Sequence, residues 1–554
     1  MAYFSLHAYD ADVWVREFRG LNQSDEMMNP NPCYADEAEN VETIHGILQP
    51  QAAYDVQTGP TNDPDDCPRV ETLAVFTRRW YDGDGSKDWY VCCAGGKFYC
   101  RQAFADDRAW DEMTLPVGVD AFNSSRWSWV TYERSVTEGN DEYTLDVLLM
   151  SNELDGMIMV SPPKNNTTWG DVAEMYTWED LEPYTWAWLV TARWVISMVD
   201  TRNDPDSVTE VGPKFGVIER FGERIWGAGE IDEPDRLVYS KAYDPEDWKG
   251  AREDDQPEDG AGEVYQPSWD GDRFFALKRF GDQLLAFKRN KIWRVLGMTP
   301  DTFNFHEQYG KGTPYRDTIA VDGERVLMTN DDGVCIYDGM NTTAYMKTAV
   351  EKIWRMVNKS ALDQMCAVLF QRKYYISFPT GDSTVNNAML VYDLDEGSVL
   401  YYPGMNIETF LPTNDELFAT SSSLPGKILK LHSNSWVTGH ASGSATKWVS
   451  PWMDFGYKSI QKGGFDFYFL PEVKDTAVTF SITVQTEKKK KTKTYTCNPL
   501  TEAQLAVPKE PSMKRLHFGG AGRKFRVIIQ TDEGVTAPWR IVGGLHMIVE
   551  TDPD

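Results

Sequence analysis

Histidine is the scarcest chemical resource of this chain, with seven residues in 554. None stands at a metal-ligand spacing or in a Ser-His-Asp arrangement, so histidine-based metal sites and hydrolytic triads have no candidates. Cysteine is nearly as rare, with eight residues at 33, 67, 92, 93, 100, 335, 366 and 497. Their spacing matches no zinc pattern, and a disulfide scaffold would need more of them in a much shorter chain. They read as small buried hydrophobes of a protein assembled in a reducing cytoplasm. Long apolar runs are missing as well: no stretch reaches the roughly 18 residues of a membrane-spanning helix. The opening, MAYFSLHAYDADVWVREF, lacks the charged-then-apolar order of a signal peptide. The expectation is a protein that is soluble or built into a particle, with no membrane insertion by this chain.

Basic charge is also in deficit. Fifty-five Lys and Arg against 85 Asp and Glu leave a net charge of −30. So acidic a surface repels phosphates and argues against sequence-reading of DNA or RNA. It suits plain solubility, or a wall along which duplex DNA slides without sticking. The deficit is uneven: residues 441–554 hold 16 basic and 12 acidic side chains, +4, so the remainder carries −34.

What the chain has in quantity is aromatic surface, including 20 Trp and 26 Tyr. Disordered chains are poor in these residues, and wide flat rings suit sheets packed face to face. A strand–turn–strand unit recurs. VIERFGERIWGAG at 217–229 and LKRFGDQLLAFKR at 277–289 share an apolar, charged, Arg-Phe-Gly, acidic, apolar order. Gly222 and Gly281 fall where a tight hairpin needs positive φ. Looser copies follow at 319–339 with an Asp322-Gly323 turn, at 365–378 with a Gln371-Arg372-Lys373 turn, and at 409–431 with an Asn414-Asp415 turn. Upstream, 73–102 and 127–160 each hold three strand-like runs. About seven groups lie between 70 and 435, the periodicity of radially stacked small sheets. The fold class expected is all-β: a β-propeller of six or seven blades over 66–440, a C-terminal β-sandwich over 441–554, and an extended arm over 1–65 that docks on a neighbour. One amphipathic helix is expected at Tyr345–Asn358, with Ala349, Ile353 and Met356/Val357 on its apolar stripe.

The chemical constellations are weak. DGDGSKD, Asp82–Asp88, spaces oxygens as a calcium loop does but has Cys93 where the loop's bidentate Glu belongs, so it reads as a hairpin turn. The acidic runs at 245–259 and 62–66 read as solvated loops. GGAGRK at 519–524 lacks the strand–loop–helix setting of a phosphate cradle. Lys488–Lys491 with Lys493 form a basic hairpin tip, either a solvated turn or a contact for an acidic partner such as a neighbouring copy's propeller. Carboxylates are numerous enough to hide a glycosidase pair, though nothing selects one. No catalytic, cofactor-binding or metal-binding residue is assigned, and no enzymatic activity is expected.

Several segments together resemble a known family. They are FRGLN (18–22), YADEAENV (34–41) and HGIL (45–48), then GERIWGAG (222–229) and PDRLVYSKAYDPEDW (234–248). LLAFKRNKIWRVLGMTPDTFNF (284–305), LMTNDDGVCIYDG (327–339) and WVSPWMDFGYKSIQK (448–462) extend the likeness. The family is the propeller-type virion proteins of bacteriophages, which includes the tail nozzle (tail tubular protein B) of short-tailed phages and tail stabilisation or accessory proteins. The resemblance implies a structural subunit repeated in a ring, commonly a homo-hexamer, next to portal, adaptor and tail-fibre proteins. DNA would pass through the centre of that ring without sequence recognition. Two alternatives remain: a baseplate- or fibre-associated propeller touching the host, and a carbohydrate-binding or glycosidase propeller.

Overall fold

The computed structural model describes residues 10–23, 31–60, 68–79, 86–102, 110–113, 115–116, 119–138, 141–161, 195–198, 213–248, 260–267, 271–308, 310–432, 434–454, 462–500 and 513–551. The runs at 62–66 and most of 245–259, and the loop tip Asp82–Gly85, lie outside them.

Seven four-stranded antiparallel meanders follow one another. Their first strands are Val70–Arg79, Ser128–Glu138, Val217–Phe221, Ala276–Phe280, Ala320–Asp322, Cys366–Phe370 and Ile407–Pro412. Successive first strands neighbour one another, blades four and five meet through Leu285, Phe287, Val326 and Met328, and the last first strand lies against the first, so the circuit closes. The region is a seven-bladed β-propeller. Tight turns set each meander, and Gly222 and Gly281 take φ of 62° and 63° as the hairpins require. Blade six makes the same turn without glycine, Gln371 and Arg372 both adopting positive φ.

One meander cannot bury both of its faces, so each face is covered by the next blade. Phe76, Trp89 and Phe98 of blade one pack with Leu148, Met150 and Ile158 of blade two. Trp226 and Leu237 of blade three meet Leu284 and Val295 of blade four. The ring closes where Leu73, Tyr90 and Cys92 of blade one meet Leu411, Phe418 and Ile428 of blade seven. Fully buried side chains of this size contribute about 1.5–3 kcal/mol each.

The outermost strand of blade seven comes from the other end of the chain. Asp55–Gln57 pairs with Ile428–Leu431, so a segment made before any blade completes the last one. The preceding N-terminal residues, expected to dock on a neighbour, dock on their own chain. Asp10–Val15 pairs with Trp539–Thr551, Val41–Ile44 with Ile47–Pro50, and Glu37–Glu39 inserts beside Thr446–Val449. These strands join the C-terminal ones in a sandwich whose core includes Phe18, Trp448, Phe467, Phe480 and Trp539. The physical reason is that 10–50 carries alternating apolar residues such as Val13, Val15, Val41 and Leu48, which need a covered face.

Propeller and sandwich share one hydrogen-bonded sheet. Blade six runs on from Ser398–Pro403 through Glu37–Glu39, Thr446–Val449, Phe525–Thr531 and Val478–Thr486 to Lys490–Cys497, nine strands in all. The expected helix at 345–358 is a correction. Lys347–Val350 is a 3-10 turn and Glu351–Trp354 a single α turn. Ala349, Ile353 and Val357 are buried as the stripe demands, but Val357 leaves the helical path to bridge Thr380. Met356 is half exposed.

Candidate functional sites: the propeller channel and the basic sandwich edge

The first strand of every blade lines a central cavity of about 700 Å³. That is the size of a small-molecule pocket. Inner strands of a propeller are mostly apolar on the faces that meet neighbouring blades, and their remaining positions look into the channel. Here those positions include Glu71, Glu219, Arg220, Lys278, Arg279 and Glu408, joined by Arg126, Arg316 and Asp317 from the strand approaches.

Most of these charges are matched. Arg126 reaches Asp317 with its Nη2 2.5 Å and its Nε 2.8 Å from Oδ2, and donates from Nη1 to the Asp363 carbonyl at 2.7 Å. Arg316 sits 3.5 Å from the other carboxylate oxygen and donates to the Gly216 carbonyl. Burial would push the Asp317 carboxyl up, but Arg126 and Arg316 outweigh it and hold the acid below its ordinary range. Lys278 lies 3.4 Å from Glu219, and Arg220 stacks over the Tyr132 ring at 5.2 Å.

Glu408 is matched only in part. Burial pushes its carboxyl up to about 7, Arg69 at 3.4 Å only partly opposing, and Glu71 adds repulsion. Its Oε2 is buried without a hydrogen-bond partner. A carboxyl poised near neutrality beside a second one is the raw material of acid–base chemistry, and Trp127 and Trp129 line the same cavity. Neither Arg126, Asp317 nor Glu408 was singled out by sequence reasoning. The available signal was a lone carboxylate inside the apolar run IETFLP at 407–412.

The cysteines are buried apart from half-exposed Cys33 among the described residues. Desolvation pushes Cys93 up to about 12, far from a thiolate nucleophile. No group of three His, Cys, Asp or Glu positioned for a metal occurs among the described residues. No helix among them is long and apolar enough to cross a membrane.

The second charged feature is at the far side of the sandwich. Lys490–Cys497 is the edge strand of the nine-stranded sheet, and Lys514–Gly522 is an edge of the six-stranded sheet packed on it. Lys488, Lys489, Lys490, Lys491 and Lys493 are exposed there, with Lys514 and Lys524 beside them. The 519–524 run, read from the sequence as a loop, is mostly strand: residues 519–522 end Lys514–Gly522, and only Arg523 and Lys524 form the corner at which the chain passes to the other sheet.

No family model matches the chain, and no curated protein matches it. Among solved structures it is similar to PorZ, a surface component of the type-IX secretion system of Porphyromonas gingivalis, at 10% identity and TM-score 0.33. That match covers 68% of this chain, which spans 37% of the length of PorZ. The Pan2 WD40 domain of Neurospora crassa matches at 9% identity and TM-score 0.34, over 70% of this chain and 95% of that one. The CNH domain of AfRom2 matches at 9% and 0.35, over 69% and 97%.

Proposed function

We propose that this protein is a non-enzymatic structural subunit of a bacteriophage virion, a ring-forming component of the tail nozzle or neck that surrounds the DNA exit path. The observation that carries the reading is the continuous sheet from blade six to the far edge of the sandwich. It makes propeller and sandwich one stiff body, as a subunit holding a pressurised exit path needs. The sequence resemblance to propeller-type virion proteins supports the same role. Duplex DNA has no room in a cavity of about 700 Å³, so in this reading it passes through the centre of the ring of copies, six by the family pattern, along their acidic surfaces. Portal, adaptor and fibre proteins are the neighbours, and the particle is assembled in the host cytoplasm.

Electron microscopy of the purified protein and of intact particles tests this. A closed ring around a DNA-wide axis next to the portal is expected. A monomer absent from the tail axis would overturn the reading.

A second reading draws on Glu408 and Glu71 beside Trp129: a propeller that binds or cleaves glycans in its channel. Release of reducing sugar from a polysaccharide panel, abolished by Glu408→Gln, would favour it. Equal background from wild type and variant would remove it.

A further inference from the structure

We infer that the lysine-rich edge of the sandwich docks on the acidic turn face of the propeller of a second copy of this chain. The inference deepens the ring reading above and rests on it.

Position comes first. Lys490–Cys497 lies five strands beyond the outer strand of blade six, which at about 4.8 Å per strand puts it about 24 Å away from the propeller. Its turn, at 487–489, is exposed. The edge therefore faces outward, out of reach of the blades that precede it in its own chain.

Charge comes second. Seven lysines on this edge, 488–491, 493, 514 and 524, make no ion pair among the described residues. Lys491 reaches across to the other sheet, its Nζ 3.5 Å from where a Gly519 side chain would start, so the two edges form one surface. Lysine on an edge strand discourages it from pairing wrongly. Seven in a chain of net charge −30 need another account.

The matching surface is on the propeller. In an antiparallel meander the first-to-second and third-to-fourth turns open on one face of the ring. In blades three to five these turns present Glu223, Asp282, Asp301, Glu324 and Asp338, all exposed and without an ion pair among the described residues. The opposite face carries fewer: in its second-to-third turns Asp331 and Asp332 are paired with Arg289 and Lys311, which leaves Asp232, Glu233 and Asp382 exposed without an ion pair among the described residues. Unpaired acid thus outnumbers unpaired base on one face, where Arg279 is an exposed cation without an ion pair among the described residues, and unpaired base is densest on one distant edge. Two unlike patches on one chain form a heterologous contact, and repetition of such a contact closes a ring when the rotation permits.

The test is light scattering of wild type and two charge-reversed variants, alone and mixed. One carries Lys488→Glu, Lys489→Glu, Lys490→Glu and Lys491→Glu, the other Glu223→Lys, Asp282→Lys and Glu324→Lys. Each alone is expected to need at least about tenfold more protein to assemble. Their equimolar mixture is expected to assemble like wild type, because alternating copies restore every contact and show that both variants fold. Unchanged assembly of both variants overturns this inference and leaves the ring standing. A wild type monomeric at every concentration overturns both readings. Retention of wild type on duplex DNA, lost in the lysine variant while assembly is unchanged, assigns the edge to DNA and overturns the inference.

Discussion

Arg126 and Asp317 are 191 positions apart in sequence and 2.5 Å apart in space, and they join blade two to blade five across the propeller axis. Blades normally touch only their neighbours, so this pair, with its bonds to the Asp363 and Met365 carbonyls, is a strut across the ring.

Removing the strut has a calculable sign. Asp317 lies deep in the protein, yet 36% of its side-chain surface faces the cavity, so water screens part of the loss. Arg126→Ala is expected to cost about 1–3 kcal/mol, between an exposed pair and a fully buried one. Arg126→Ala with Asp317→Ala should recover part of it, since no unpaired acid remains. Urea unfolding of the three proteins measures the difference.

Closure by the N-terminal segment hangs on close approach at Gly59. A side-chain carbon there would stand 1.3 Å from the Gly426 carbonyl oxygen. Gly59→Ala is expected to push Asp55–Gln57 off blade seven, at about 1–3 kcal/mol. Limited proteolysis should then cut near residue 60 faster than in wild type, while a Gly520→Ala control, whose added carbon would meet only Thr486 Cγ2 at 4.0 Å, should not expose that site.

Acidity should stabilise the junction between sandwich and blade six. Glu42 is fully enclosed, and burial raises its carboxyl from 4.5 to about 7 despite hydrogen bonds from Gln49 and the Ala52 amide. The folded state therefore holds an extra proton between about pH 4.5 and 7. Its contribution is complete below that window, is lost as pH rises through it, and changes no further above it, a span of about 3 kcal/mol. Glu42→Gln should flatten this decline in thermal unfolding curves. Glu408 and the His432–Asp55 pair are present in both proteins, so their difference isolates Glu42.

Thiol labelling reports on packing. Native protein should react with iodoacetamide fastest at Cys33 among the described cysteines. Cys92, Cys93 and Cys100 should wait for unfolding, as read by mass spectrometry.

The blades were legible because each is local: Phe221, Gly222 and Arg224 specify a turn within a few residues, and the apolar strands on either side follow. The sandwich was legible only by half. Three of its N-terminal strands reach partners some 400 to 540 residues away, as Asp10 does with Glu550, and the short apolar alternations of 10–50 do not say which partner covers them. The helix at 345–358 misled because its stripe is real, but the backbone of Val357 is claimed by Thr380. The channel charges were hidden for a further reason. Arg126 and Asp317 acquire meaning only once seven blades set their distance.

The pairing of Asp10–Val15 with Trp539–Thr551 also sets a timetable for the newborn chain. At about 5–20 residues per second, the first strand leaves the ribosome roughly half a minute to two minutes before its partner. Through that interval Val13, Val15 and Leu48 have no finished sheet to cover them. Successive blades can stack as they emerge, but blade seven must retrieve a segment made long before it, and the sandwich waits for the final stretch. A ribosome stalled before residue 539 would therefore hold a nearly complete propeller carrying an unfinished, sticky flank, which is covered only once Trp539–Thr551 has emerged.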